Sequence, residues 1–261
     1  MTGDLIGNKY NEYNYEVSED FVSMFGKVKA QRKSRTAVYQ KDTSEGGMIW
    51  RIALVSSFLL PVTIVLCIFI IRGMYPFGNK CFLVYDMYHQ YFPFFAELIR
   101  KVKAGESLYY SYNVGIGSNF LALFVYYLAS PFNWLGLLAS EDHLIEFLSY
   151  LAVFRFGLCG LTSFLYLSFH FDKRERHPAA LLFSCFYAFS GFMAAYNYNV
   201  MWIDCVVILP IIILGLERLI REGKCGMYCL ALAFSILTNY YISIMICLFL
   251  VLYFLTLLVT E

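Results

Sequence analysis

The chain has 261 residues, of which 60% are apolar, 19% aromatic and only 15% charged, with a formal net charge of +1. That balance describes a chain buried mainly in lipid or protein, and it leaves no electrostatic footprint for nucleic acid or another polyanion. The eight cysteines, Cys67, Cys81, Cys159, Cys185, Cys205, Cys225, Cys229 and Cys247, lie mostly in apolar runs without CxxC or zinc spacing, so they read as packing residues rather than a disulfide or metal framework.

Residues 1–47 are polar and lack sustained apolar periodicity, which predicts a flexible tail. Lys27, Lys29, Arg32, Lys33 and Arg35 give it a basic stretch just before the first long apolar run, residues 48–71. At about 1.5 Å per residue that run matches a hydrocarbon core of about 30 Å, and the positive-inside rule puts the basic stretch in the cytoplasm. The run starts too far from the N-terminus for a signal peptide and has no small-residue cleavage site, so it reads as a retained anchor. The expected location is the plasma membrane of a bacterium, multi-pass, with the N-terminus cytoplasmic.

Residues 72–142 then form a long first outer loop. Its first landmark is the polar, titratable cluster Tyr85, Asp86, Met87, Tyr88, His89, Gln90 and Tyr91. Over residues 91–103 the apolar positions Phe92, Phe95, Leu98, Ile99 and Val102 recur at spacings of three and four. This predicts an amphipathic helix in the membrane interface, with Glu97, Arg100, Lys101 and Lys103 toward water or headgroups. The loop from 107 to 119 carries Gly115, Gly117 and Asn119, a composition that lets backbone amides face a ligand.

Residues 120–138 are apolar enough to cross, but Ser130, Pro131, Phe132 and Asn133 interrupt them. Further spans are expected over 144–171, 179–196 and 203–219, separated by charged loops at 172–177 and 217–224. Both charged loops fall on the cytoplasmic side only if 120–138 does not cross, so a re-entrant or interfacial hairpin is expected there. The five Lys and Arg residues between 72 and 142 run against this, though long loops obey the rule less strictly. Residues 227–259 are too long for one ordinary helix and are expected to break near Asn239 into two short halves.

A carboxylate near the bilayer marks either a functional pathway or a paired structural charge. Asp86, among aromatics and one helical turn from His89, has the chemistry to take a proton from an acceptor hydroxyl; the structural alternative is a helix cap or a pair with Arg72 or Lys80. His89 is placed to hold a phosphate or orient the acid, and Gln90 and Tyr91 to bind sugar hydroxyls. Arg100, Lys101 and Lys103 suit a lipid phosphate, although snorkelling explains them equally. Tyr88, Tyr91, Tyr109, Tyr110 and Tyr112 fit an aromatic belt. Asn197, Asn199 and Asp204 form a second polar cluster on the same side, where Asp204 also suits a helix N-terminus, and Asn239 falls at the same depth. Arg155 stands apart, a cation within a span that must find a partner or a cavity. No histidine or carboxylate group has metal-ligand spacing, so no metal or other cofactor is expected.

In this order the motifs Asp86 with Gln90-Tyr91, Gly115-x-Gly117-x-Asn119, Tyr126-Tyr127 with Ser130-Pro131-Phe132-Asn133, Trp202-x-Asp204, Leu209-Pro210, Gly215-Leu216-Glu217 and Asn239-Tyr240-Tyr241 resemble the bacterial YfhO family. The resemblance implies an all-α, polytopic, GT-C-like fold over 48–259, with interfacial helices in the first outer loop, as the N-terminal part of a longer protein. It also implies a glycosyltransferase that takes a sugar from a polyprenyl-phosphate carrier and passes it to a teichoic-acid-like envelope glycopolymer on the outer face. Asp86 would be its catalytic acid-base residue; His89, Gln90, Tyr91, Arg100, Lys103, Asn119, Asn197, Asn199, Asp204, Asn239 and Tyr240 would contact substrates. The rivals are a transporter or flippase of a lipid-linked sugar, which calls for midplane polar groups and an inverted repeat, and a noncatalytic scaffold.

Overall fold

The structure is a computed structural model that describes residues 45–171 and 177–260. The basic N-terminal stretch, most of the expected tail and the charged run at 172–176 lie outside the described residues. Five helices among the described residues are long and apolar enough to cross a membrane, as a polytopic helical protein requires.

Helix α1 (Glu45–Arg72) has 28 residues, or about 42 Å, which exceeds the hydrocarbon core and calls for tilt. A 13-residue helix, α2 (Phe92–Ala104), and a four-residue one, α3 (Phe120–Leu123), follow before the long α4 (Leu144–His170). α1 packs on α4 through small residues. A Cβ at Gly157 would fall 2.6 Å from the Phe58 ring, and one at Gly160 would collide with the Ser57 carbonyl oxygen. Ala53 clusters with Phe164. Contacts therefore climb α4 as they descend α1, and the two helices run antiparallel. Gly160→Ala is expected to force the pair apart, because the obstructing atom is backbone, at a loss of about 1–3 kcal/mol. Thermal unfolding in detergent measures it, and an unchanged midpoint would show that the contact is loose.

The next crossing is His177–Tyr196, made of α5 (His177–Ala188) and α6 (Gly191–Tyr196). The Ser190 hydroxyl accepts from the Met193 N–H and caps the second piece. Helix α7 (Val200–Glu222) returns and ends at Gly223, whose φ of 65° is the left-handed conformation glycine takes without Cβ strain. Helix α8 (Gly226–Thr238) has 13 residues and α9 (Tyr240–Thr260) has 21. The break falls at Asn239, as the sequence indicates, but α9 is long enough to cross, whereas two short halves were expected. The hairpin closes through small polar residues: the Ser235 and Ser243 hydroxyls are 2.7 Å apart, and Cys205 on α7 touches both sides of the turn.

α4 and α7 form the centre, with 61% and 67% of their most apolar stretch buried, against 22% for α1, the α5–α6 crossing and α9. The outer helices turn Ile52, Val55, Phe183, Phe186, Leu248 and Leu252 outward, a surface suited to lipid.

Because α1 and α4 are antiparallel, residues 73–143 leave and rejoin the bundle at one end, the loop end. Residues 120–138 therefore dip in and return, in line with the expected hairpin. Two helical pieces, Phe120–Leu128 and Pro131–Leu138, meet at 102°. The groups freed at the bend are held internally: Ser130 Oγ accepts from the Phe132 N–H, and Asn133 Nδ2 donates to the Leu128 carbonyl. Phe132 packs edge-on against the Phe154 ring of α4 and the Phe234 ring of α8.

α2 lies across this hairpin. Phe95, Leu98 and Ile99 are buried, and a Cβ at Gly136 would strike Phe95. The amphipathic helix is thus where its periodicity places it, but protein rather than the membrane interface covers its apolar face. Two of its expected water-facing charges are also corrected, since Glu97 is 7% and Lys101 4% exposed. Glu97 is buried because it holds a small β-hairpin, β1 (Tyr110–Ser111) with β2 (Ser118–Asn119). It accepts from Ser111 Oγ at 2.6 Å, from Asn113 Nδ2 at 3.1 Å and from Arg100.

Candidate functional site

Two π-helical turns face each other at the loop end, Met87–Tyr91 and Phe124–Leu128. Such turns are rare and recur at functional sites. The first presents His89, Gln90 and Tyr91; the second presents Tyr126 and Tyr127. Gln90 Nε2 lies 3.4 Å from the Tyr127 hydroxyl, and the Tyr91 and Tyr127 rings stand 5.6 Å apart.

Asp86 is the residue that opens the first turn. It adopts helical φ and ψ and makes no side-chain capping bond, and it is exposed. Among the described residues it has no hydrogen bond or ion pair, so neither structural alternative, the cap or the pair with Arg72 or Lys80, is realised. Tyr85 before it has φ of 49°, the one positive φ outside glycine among the described residues. A tyrosine there costs on the order of 1 kcal/mol, and strain of this kind gathers where a neighbouring group must be aimed. The Tyr85 ring rests against Tyr198.

The wall opposite comes from the start of α7. Asn199 is buried and accepts a 2.7 Å hydrogen bond from the Tyr91 hydroxyl. Burial, reinforced by the nearby Asp86 charge, pushes the Tyr91 hydroxyl well above its ordinary pKa, so Tyr91 stays a neutral donor. Trp202 lies between Tyr196 and Tyr241, and Tyr240 packs edge-on against Tyr126. The result is a polar aromatic surface with one exposed carboxylate. His89 is exposed and set edge-on to Tyr88.

The structure does not gather every expected site residue here. Arg100 is 14 residues beyond Asp86 along one helical stretch, about 20 Å away, and its guanidinium is held by Glu97 and Glu106. Lys103 donates to the Ala139 carbonyl. Asn119 caps α3 by accepting from the Ala122 N–H, and Asn197 donates back to Met193 and Ala194 in its own turn. Asp204 is fully buried, and both its oxygens face Arg155, Oδ1 at 2.7 Å and Oδ2 at 2.9 Å. The cation in α4 thus finds its partner in the very acid that the sequence groups with the site. Asn239 is also fully buried, bridging Tyr126 O and the Ile242 N–H, and so ties the second π turn to the α8–α9 hairpin. Sequence reasoning gave no separate role to Tyr127 or to the strained Tyr85. Neither a π turn nor a positive φ at tyrosine leaves a periodicity to read.

Two shallow clefts lie elsewhere. One, of about 260 Å³, is lined by Glu97, Arg100, Asn113 and Glu141; the other, of about 270 Å³, by Tyr75, Lys80, Cys81 and Glu146. Asp86 lines neither. Among the described residues no group of His, Cys, Asp or Glu is arranged to hold a metal ion.

The Glu97 network has a pH signature. Hydrogen bonds from Arg100 first, then from Ser111 and Asn113, hold its carboxyl down to about 2. A depressed carboxyl stabilises above its unfolded value of 4.5 and loses that contribution as pH falls toward 2. The hairpin is expected to stay protease-resistant at pH 6 and to loosen between pH 4.5 and 2, with up to about 3 kcal/mol withdrawn. Glu97→Gln should show the loosened pattern already at pH 6; resistance independent of both pH and the substitution would remove the carboxylate from this role.

Comparison with curated proteins and with solved structures yields no match to the chain. The family model described as bacterial membrane protein YfhO matches residues 56–261, from within α1 through both π turns to α9. That match covers well over half of the sequence, and the chain belongs to the YfhO family of bacterial membrane proteins.

Proposed function

We propose that this chain provides the catalytic face of a GT-C-like membrane glycosyltransferase. It moves a sugar from a polyprenyl-phosphate carrier to a teichoic-acid-like glycopolymer on the outer side of the bacterial plasma membrane. The observation that carries the reading is Asp86: an exposed carboxylate without an ion pair among the described residues, opening a π turn behind a strained tyrosine and lying near Tyr91 and Tyr127. In this reading the acceptor hydroxyl oxygen bonds to the anomeric carbon as the bond from that carbon to the carrier phosphate breaks. The hydroxyl proton passes to Asp86, and the carrier leaves as its phosphate. Gln90, Tyr127 and Tyr240 suit sugar hydroxyls and ring faces. His89 is the positively ionisable group closest in sequence to Asp86 and suits the departing phosphate. Arg100 and Lys103 have other partners, and Asp204 and Asn239 act as supports beneath the surface.

Under a transporter reading the Arg155–Asp204 pair would be the polar site within the bundle, but that carboxylate is sealed. Transfer of labelled sugar from a polyprenyl-phosphate donor to envelope polymer, in membranes carrying the parent chain or Asp86→Asn at matched expression, tests the proposal. Loss in the variant alone supports Asp86 as base. Equal transfer removes it from the mechanism, and transport of the lipid-linked sugar without transfer would favour the flippase.

A further inference from the structure

We propose that the β1–β2 hairpin is a preformed membrane anchor whose tip, Tyr112 and Ile116, inserts into the lipid interface at the loop end. The inference does not depend on the glycosyltransferase reading. Ile116 is completely exposed and Tyr112 is 82% exposed, so the turn directs its most apolar side chain away from the rest of the protein.

The tip is built to keep that shape. Gly115 and Gly117 take φ of 60° and 110°, and a Cβ at Gly117 would collide with the Tyr110 hydroxyl, so glycine is required there. The Gly117 N–H donates to the Val114 carbonyl across the turn. Glu97 grips the ascending side of the turn through Ser111 and Asn113. Ile116 and Tyr112 thus stand together on an ordered turn as an exposed apolar and aromatic tip.

The charge pattern identifies that partner. From Ser107 through Ser140 there is no Asp, Glu, Lys, Arg or His. The charges that meet the hairpin, Glu97, Arg100, Lys101 and Glu106, belong to α2 and the residues just after it and pair with one another there. A soluble protein partner would be met with rim charges for steering and register; an uncharged tip enters a bilayer without desolvating an ion. Tyrosine hydroxyls suit the headgroup level, with isoleucine beyond them. Ile116 also lies four residues before Phe120, where the bent apolar pair of helices begins, so at most about 14 Å of chain separates the tip from that pair.

The test is Ile116→Cys in a chain whose exposed Cys67, Cys81, Cys225 and Cys229 are serine. The thiol is labelled with an environment-sensitive fluorophore, and the protein is reconstituted in phosphatidylethanolamine–phosphatidylglycerol vesicles. A blue-shifted emission, quenched several-fold more by spin-labelled lipid than by iodide, is expected. Water-like emission with dominant iodide quenching would overturn the anchor in favour of a free loop. Shielding from both quenchers would overturn it in favour of a protein contact, either a second copy or closure over the Asp86 surface. The same label at Asn113, on the Glu97-held side, should respond less to spin-labelled lipid; an equal response at both positions would mean that the whole hairpin lies flat, which contradicts insertion by the tip.

Discussion

Arg155→Met is expected to lower stability by about 3–5 kcal/mol, because it strands the Asp204 carboxylate inside the bundle. Arg155 is 1% exposed and Asp204 0%, and two parallel hydrogen bonds join them across the α4–α7 contact at the centre of the fold. Asp204→Leu should be as damaging, leaving the guanidinium with no counter-charge. The double variant should recover most of the loss, because two apolar side chains of similar volume need no partner. Thermal unfolding in detergent, with the retained crossings checked by circular dichroism, measures all three. A double variant no better than either single one would mean that the pair is not an isolated couple. The geometry leaves room for that result: Arg155 Nη1 is buried without a hydrogen-bond partner, so the guanidinium is not fully satisfied by Asp204.

This pair also shows what the sequence withholds. Hydropathy gives depth along a helix, and it marks Arg155 as a cation needing company and Asp204 as an acid near a helix start. It does not give the direction each faces, and 49 residues separate them. Asp204 consequently joins the site on paper while in the fold it supports the floor. The same blindness affects α2, where a correct period places Glu97 and Lys101 on the polar side, yet the β-hairpin folds over that side and buries both. Breaks were legible because they carry their own chemistry. Ser130-Pro131 cannot continue a helix smoothly, and Asn239 interrupts a run too long for one ordinary crossing. The candidate surface was half legible: Asp86, Gln90, Tyr91 and Asn199 stand out as polar groups at one membrane face. The π turns that bring Tyr127 to Gln90 depend on packing between segments almost 40 residues apart and have no sequence period of their own.

Asp86→Asn is expected to reduce sugar transfer by 10²–10⁴-fold, the usual contribution of a general base, with thermal stability within about 0.5 kcal/mol of the parent. Both halves follow from one observation, since a carboxylate that makes no hydrogen bond or ion pair among the described residues leaves little for the fold to lose. Asp86→Glu keeps the base but moves it by a methylene, so it should retain more transfer than the amide and less than the parent. Tyr91→Phe removes the bond to Asn199 without touching the carboxylate, and a loss of about tenfold or less is expected. Tyr85→Gly separates aim from chemistry: glycine relieves the positive φ, so stability should hold or rise, while transfer should fall if the strained tyrosine fixes the direction of Asp86. The decisive contrast is between kcat and KM. A base affects kcat; a residue that only holds substrate raises KM with kcat unchanged. If Asp86→Asn changes KM alone, Asp86 becomes a substrate contact and the proton must be taken elsewhere, with His89 the nearest histidine along the chain. If it changes neither, the polar aromatic surface is not where the reaction takes place.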